Sequence, residues 1–406
     1  MEKQKCPEIR FSGFDGKWIQ RNWRDTVEIS TNMVDPRSNE YGELFHIGPG
    51  NIKSFSGQFY DNVLKVKDSN LISGKFYFRK GDIIYGKINP QLAKYVIAPF
   101  EGLASADAYV LNTKNGVVQN YLYAILQTND FYKYTVSVSS RTGMPKINRD
   151  ELNIYNYFSP SEAEQTLIGE FFQNLDQSIT LHEKKLAQTQ KFKKAMLEKM
   201  FPKQGSKRPE IRLNGFSGDW IETTLGNLGS IRRGASPRPI EDEKWFDKTS
   251  RVGWLRISDV SEQNGRIYNI DQKLSLAGQQ KTLVLDKPHL ILSIAATVGK
   301  PVINYVPTGI HDGFIVFLDL NADLEFMFQW LEKFRWVWFK LGQSGSQLNL
   351  NSELVKSQRL YLPLSKDEQI AIGQFFKKID ETCLLLKQEL HTLNKLKQAL
   401  LEKMFV

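Results

Sequence analysis

Two stretches of the chain place apolar side chains at alternating steps of four and three. One reads Ile168, Phe172, Leu175, Ile179, His182, Leu186, Thr189, Lys193, Met196, Met200. The other reads Ile372, Phe376, Ile379, Cys383, Leu386, Leu390, Leu393, Lys397, Leu400, Met404. That spacing keeps one stripe along a helix and is the period of a coiled-coil seam. No proline interrupts either stretch, and Ser161 with Glu164, like Ser365 with Glu368, has capping-box spacing. Each helix is expected to run roughly 60 Å. Two seams in one chain most simply pair with each other. The pairing residues are then Ile168, Phe172, Leu175, Ile179 and Leu186 on one helix. On the other they are Ile372, Phe376, Ile379, Leu386, Leu390 and Leu393. His182, Thr189, Lys193 and Lys397 interrupt the stripe; either they set its register or the pair frays there.

Ahead of each helix the pattern changes to short β-rich runs: GDIIYGKI (81–88), AYVLN (108–112), HLILSI (289–294) and GFIVFLDL (313–320). Gly, Pro and Asp separate them, so each region reads as a mixed α/β globule. Each globule also has an aromatic helical stretch, 121–134 and 324–340. Trp330, Trp336 and Trp338 could stack on bases. At helical spacing beside Phe326, Phe334 and Phe339, the core is the preferred reading.

The two patterns belong to one repeat. PEIRFSGFDGKWIQ (7–20) and PEIRLNGFSGDWIE (209–222) agree at nine of fourteen positions. Residues 161–201 and 365–405 agree at 18 of 41 without a gap. Weaker echoes lie between: RTGMPKINRDEL (141–152) with QSGSQLNLNSEL (343–354), and SADAYVLN (105–112) with IHDGFIVFLD (310–319). Two copies this long imply a duplicated domain-plus-helix unit, not a solenoid. The expected division is a first globule at 1–158, a helix at 159–201 and a joint at 202–208. A second globule follows at 209–363, and a second helix at 364–406.

The 406 residues carry a net charge of +9, pointing to a polyanionic partner. The long helices together contribute only +1, so most of the excess lies in the globules, joint and termini. The basic clusters there are IRRGASPRP (231–239), YGKINPQLAK (85–94), SRTGMPK (140–146) and ATVGK (296–300). Loops mixing Arg and Lys with Gly, Ser and Asn approach phosphates and offer side chains to base edges. A solvated surface loop is the alternative for each. Cys6 and Cys383 are the only cysteines, so no disulfide scaffold is expected and a reducing cytoplasm fits. The first residues lack an apolar signal region, and no run is long enough to span a membrane.

No catalytic or metal site emerges. VGKP (298–301) lacks the neighbours of a phosphate loop, and KINPQL (87–92) lacks the second proline and aromatic of an amino-methyltransferase motif. IEDEK (240–244) has only half of a nuclease signature. His46, His182, His289, His311 and His391 have no metal-ligand spacing. His311-Asp312 reads as a turn or a satisfied polar pair.

The doubled G-F-x-G-x-W opening, the G-x-x-x-x-N or Q-x-N-L-N approach to the helix and the E-Q-x-x-I-G-x-F-F helix ending in L-E-K-M-F resemble the specificity subunits of Type I restriction–modification enzymes. The resemblance spans nearly the whole chain. It implies a mixed α/β fold with a pseudo-two-fold internal repeat: two target recognition domains separated by two long antiparallel coiled-coil helices. It further implies a non-catalytic subunit that reads a bipartite, asymmetric sequence in double-stranded DNA and docks two modification (methyltransferase) subunits. Restriction subunits join that complex. S-adenosylmethionine and ATP belong to the partner subunits, and this chain holds no cofactor. A methylation-only or fused system, or a structural coiled-coil adaptor, are the alternatives. Candidate DNA contacts in the first domain are Lys87, Asn89, Lys94, Arg141 and Lys146. In the second they are Arg232, Arg233, Ser236, Arg238, Arg256, Ser293, Lys300 and Gln347. R-G-A-S-P (233–237) is similar to the family's G-x-T-P loop, whereas STNMVDPR (30–37) keeps no clean copy of it.

Overall fold

A computed structural model describes residues 6–139, 143–203, 205–341 and 350–406. The chain divides into two compact units: Met1–Lys185 with Leu386–Val406, and Leu186–Leu385. The long helices, Glu162–Met200 and Lys366–Lys403, each contribute to both units.

In the first unit the strands Val27–Ile29, Ala108–Thr113, Ile83–Gly86 and Tyr95–Ile97 form one antiparallel sheet in that order. Its central strand is buried on both faces, which is why it reads as an unbroken apolar run. Ile83 and Tyr85 face a core containing Trp18, Tyr121, Phe172 and Met404, while Ile84 joins Val96 and Val110 on the other side. Ile19–Asn22 pairs with Asn156–Ser159, closing the globule just before the long helix. A five-stranded sheet lies beside this frame, with strands ordered Met33–Val34, Lys75–Phe78, Gly102–Ala104, Phe45–Ile47 and Leu64–Lys65.

The second unit repeats the frame: Ser230–Arg233, Phe314–Leu318, Leu290–Ser293 and Pro301–Asn304 in the same order, extended by Arg266–Ile267. Ile221–Thr224 pairs with Arg359–Leu362. Leu290 and Leu292 face one core and Ile291 the other. Trp330 and Trp338 are buried in the first of these, as their helical spacing suggests; Trp336 is 54 % exposed, so the core reading fails for it.

The duplicated motifs meet in each unit, and their agreement has structural causes. Trp18, of the first G-F-x-G-x-W, packs edge-on against Phe405 at 6.3 Å, and Tyr121 stacks on that phenyl ring at 5.6 Å. Trp220, of the second, packs edge-on against Phe201 at 6.2 Å, with Phe326 at 5.2 Å from the same phenyl. Each L-E-K-M-F terminus thus completes a globular core. Arg10 forks onto Glu164 at 2.8 and 2.6 Å and Arg212 onto Glu368 at 2.8 and 2.7 Å. The two carboxylates are buried, so these forks satisfy charges that would otherwise be stranded. Gln165 accepts from the Val118 amide and donates to the Gly116 and Pro160 carbonyls; Gln369 accepts from Asp323 and donates to Pro363. A Cβ on Gly169 would lie 2.7 Å from the Asn120 side chain, and one on Gly373 2.8 Å from the Phe326 amide nitrogen. Only glycine permits the helix to pass that close.

Within each unit the two helix segments run antiparallel. The residues at seam spacing are the less exposed ones along both helices. Ile168 and Phe172, like Ile372 and Phe376, also belong to the globular cores. Leu175, Ile179 and Leu386 are buried, and Leu186, Ile379, Leu390 and Leu393 are half-buried. Lys397 meets Asp176 at 2.5 Å, and Lys193 meets Asp380 at 2.5 Å. The two seam lysines therefore set register through matched partners. His182 approaches Glu389 at 3.5 Å on a more exposed part of the pair.

Candidate nucleic-acid interface

Lys87, Asn89, Arg232, Arg233 and Ser293 lie at or just past the ends of strands of the four-stranded frames. In the second unit, Ser230–Arg233 delivers Arg232 and Arg233 into the segment 233–239. Gly234 donates to the Phe314 carbonyl at 2.9 Å and Ala235 to the Ile310 carbonyl at 3.0 Å, laying this segment along 310–314. A Cβ on Gly234 would fall 2.2 Å from the His311 carbonyl oxygen, so the motif's glycine is required by close backbone approach. Arg233 Nε donates to the Asp312 carbonyl, Ser236 Oγ to one Asp312 carboxylate oxygen and Arg238 to the other. The bond from Ser236, reinforced by the charge of Arg238, holds the Asp312 carboxyl below its ordinary range against the opposing effect of burial. Arg232, Arg233 and Arg238 are exposed; Ser236 is half-buried.

In the first unit the turn after Ile83–Gly86 carries Lys87 and Asn89. Asn89 is left-handed (φ 49°) and its amide donates to the Pro145 carbonyl at 2.7 Å; Ile147 donates back to Lys87. This stitches exposed Lys146 beside Lys87. Lys87 Nζ lies 5.5 Å from the Tyr109 ring centre and the Arg149 guanidinium 5.9 Å from it. Burial lowers the Lys87 pKa, and the charges of Lys146 and Arg149 lower it further, with Asp107 opposing. Two cations at one aromatic ring, with Lys146 beside them, make an anion-attracting surface.

Four candidates are engaged within the protein. Ser293 is fully buried, donating to the Ala295 carbonyl and accepting from Thr297. Lys300 is 9 % exposed and is bound to Glu332 and Asn264. Lys94 donates to the Pro49 carbonyl and is half-buried, and Arg256 is engaged by Asp259 at 3.0 Å. These two brace their own loops. Arg141 and Gln347 lie outside the described residues.

Arg149 and Asp312 were not singled out as contacts from sequence. Arg149 stood beside a helix cap, Asn148 with Glu151, and its guanidinium donates to the Ile29 and Ser30 carbonyls, tying down the start of 30–37. Asp312 read as part of a turn or polar pair. It is both, and its partners come from more than seventy residues away.

The described residues contain no cluster of three or more metal-ligating side chains. No described helix is long and apolar enough to cross a membrane. The family described as the Type I restriction modification DNA specificity domain matches twice, over residues 38–191 and 217–396. The chain belongs to that family. The specificity domain is duplicated in it, and it is a specificity subunit, the recognition component of a restriction–modification system and not a catalytic one. It is 30 % identical over 169 residues to the Type I restriction enzyme EcoDI specificity subunit of Escherichia coli, which covers 40 % of this chain and 36 % of that one. It is 23 % identical over 409 residues to the putative MjaX specificity subunit of Methanocaldococcus jannaschii, covering 95 % and 92 %. In fold it is similar to the S subunit of the Type I system from M. genitalium, with a TM-score of 0.67 at 14 % identity, covering 99 % of both chains. A chain from a study of Type I complex assembly and conformational transition gives 0.52 at 15 % identity, over 95 % of this chain and 97 % of that one.

Proposed function

We propose that this subunit reads a bipartite, asymmetric sequence in double-stranded DNA, one half with each domain, and carries that choice to the two methyltransferase subunits that dock on it. Restriction subunits join through the complex, which works in the cytoplasm. S-adenosylmethionine and ATP are held by the partners. One observation supports the reading above the others: the same four-stranded frame in each unit leads into a loop region rich in cations, yet the residues there differ between units. A shared frame with different loops fits two half-sites of different sequence. Lys87, Asn89, Lys146 and Arg149 are assigned to the first half-site, and Arg232, Arg233, Ser236 and Arg238 to the second.

The experiment is methylation mapping. The chain is co-expressed with its cognate modification subunit in a methylation-free host, and modified adenines are located by sequencing. A split motif is expected, altered in one half by exchanging residues 21–158 and in the other by exchanging 223–363. A purified complex that produces no motif would overturn the reading and favour a structural adaptor, which would show no DNA affinity even at low salt.

A further inference from the structure

We propose that Asp312 is the positioning residue of the second reader and that the site it organises takes the major-groove edge of a guanine. The inference rests on the specificity reading above and adds a residue and a base to it. Asp312 accepts from Ser236 Oγ at 2.7 Å, from Arg238 at 3.1 Å and, through its carbonyl, from Arg233 Nε at 2.6 Å. Two guanidinium groups from one loop are therefore tethered at a single residue. Arg233 is held only through Nε, which leaves both terminal nitrogens unengaged among the described residues. Arg238 uses one nitrogen and is 72 % exposed. The tether reduces the freedom these long side chains lose on binding, and it places a fork where paired acceptors can meet it. Guanine is the base that presents two acceptors, O6 and N7, on its major-groove edge.

The arrangement is confined to one unit. Ala108 donates to Ser105 as Phe314 does to His311, so the residue matching Asp312 is Ala106. The sequence pairing of SADAY with HDGF places Asp107 opposite Asp312; the strand register shifts that pairing by one. The first reader thus lacks this acceptor, and a change at Asp312 touches only one half of the target.

A guanidinium serves a backbone phosphate as well as a guanine, and the test separates the two. Complexes carrying wild type, Asp312→Asn, Ser236→Ala or Arg238→Lys are mapped for methylated motifs. Their DNA affinity is measured across salt concentrations, with a thermal melt of each. The expected result for Asp312→Asn is relaxation at one or two guanine-containing positions in the half assigned to residues 223–363, with discrimination down about tenfold. The other half stays unchanged. Arg238→Lys relaxes the same positions, and Ser236→Ala does so more weakly. An Asp312→Asn complex with the wild-type motif overturns the proposal. So does a second half without a G·C pair. So does uniform weakening with a shallower salt slope and an unchanged motif, the mark of a phosphate contact. A general loss of methylation together with a lowered melting point means a merely structural residue and also overturns it. If wild type itself yields no split motif, the specificity reading fails, and this is visible before any variant is compared.

Discussion

The two units share a frame to the level of single hydrogen bonds and diverge where the frame meets its loops. Trp18 and Trp220, Arg10 and Arg212, and Gln165 and Gln369 fill matching structural roles. At the loops the first unit sets Lys87 and Arg149 by the Tyr109 ring with Lys146 beside Lys87, and Asp107 acts on Lys87 only through its charge. The second gathers Arg233, Ser236 and Arg238 around Asp312. A cation-rich cluster and one tethered to a carboxylate favour different ligands from one scaffold. The helices differ too. Asp176 faces Lys397 and Gln127, whereas Asp380 faces Lys193, Arg266 and Gln329. Arg266 continues to Glu325 at 2.6 Å, and both Arg266 and Asp380 are largely buried. The second unit thus depends more on one buried network.

Removing Asp380 should show this most strongly. Asp380→Ala strands Lys193 and leaves Arg266 with Glu325 alone; it is expected to cost about 3–5 kcal/mol, while Asp176→Ala should cost clearly less because one lysine is freed. Equal losses in denaturant unfolding would break the comparison. Next comes the aromatic terminus. Phe201→Ala empties a buried site and should cost about 3 kcal/mol; Phe405→Ala, at a half-buried site, should cost less.

Smaller still is the dependence on pH. Burial, with a lesser contribution from Lys75, lowers His46 in the first unit to about 4. Burial also lowers His311 in the second, where Asp312 opposes it. Both imidazoles are neutral in the fold, and the unfolded chain binds protons more readily below pH 6.5. Stability is therefore full above about 6.5 and falls as pH drops toward 4. His46→Gln should flatten that slope more than His311→Gln, as read from melting points at pH 7 and pH 5. The smallest effect belongs to Arg37, paired with Asp35 on the open surface. Arg37→Ala should leave the melting point unchanged, because such a pair exchanges freely with water.

The periodicity and the internal repeat determined much by themselves. A stripe at steps of four and three can be buried only along a helix, so the long helices and their seams were legible. Identical motifs 200 residues apart announced a duplicated frame. The charge outside the helices drew attention to the loop regions, and R-G-A-S-P to the segment that meets Asp312. Tertiary structure decided which cations face outward. Lys300 and Ser293 sit in a loop of the right composition but are buried by Glu332, Asn264 and Thr297. Composition cannot register that burial. It also decided that each L-E-K-M-F fills a core beside a tryptophan, that the seam lysines find Asp176 and Asp380, and that Asp312 tethers segment 233–238 while Asp107 sits one position away in register. Those outcomes depend on partners far apart in the chain and on a one-residue strand register. Local pattern carries neither, because a shift of one residue changes the face and the neighbours of every side chain while leaving the sequence pattern almost the same.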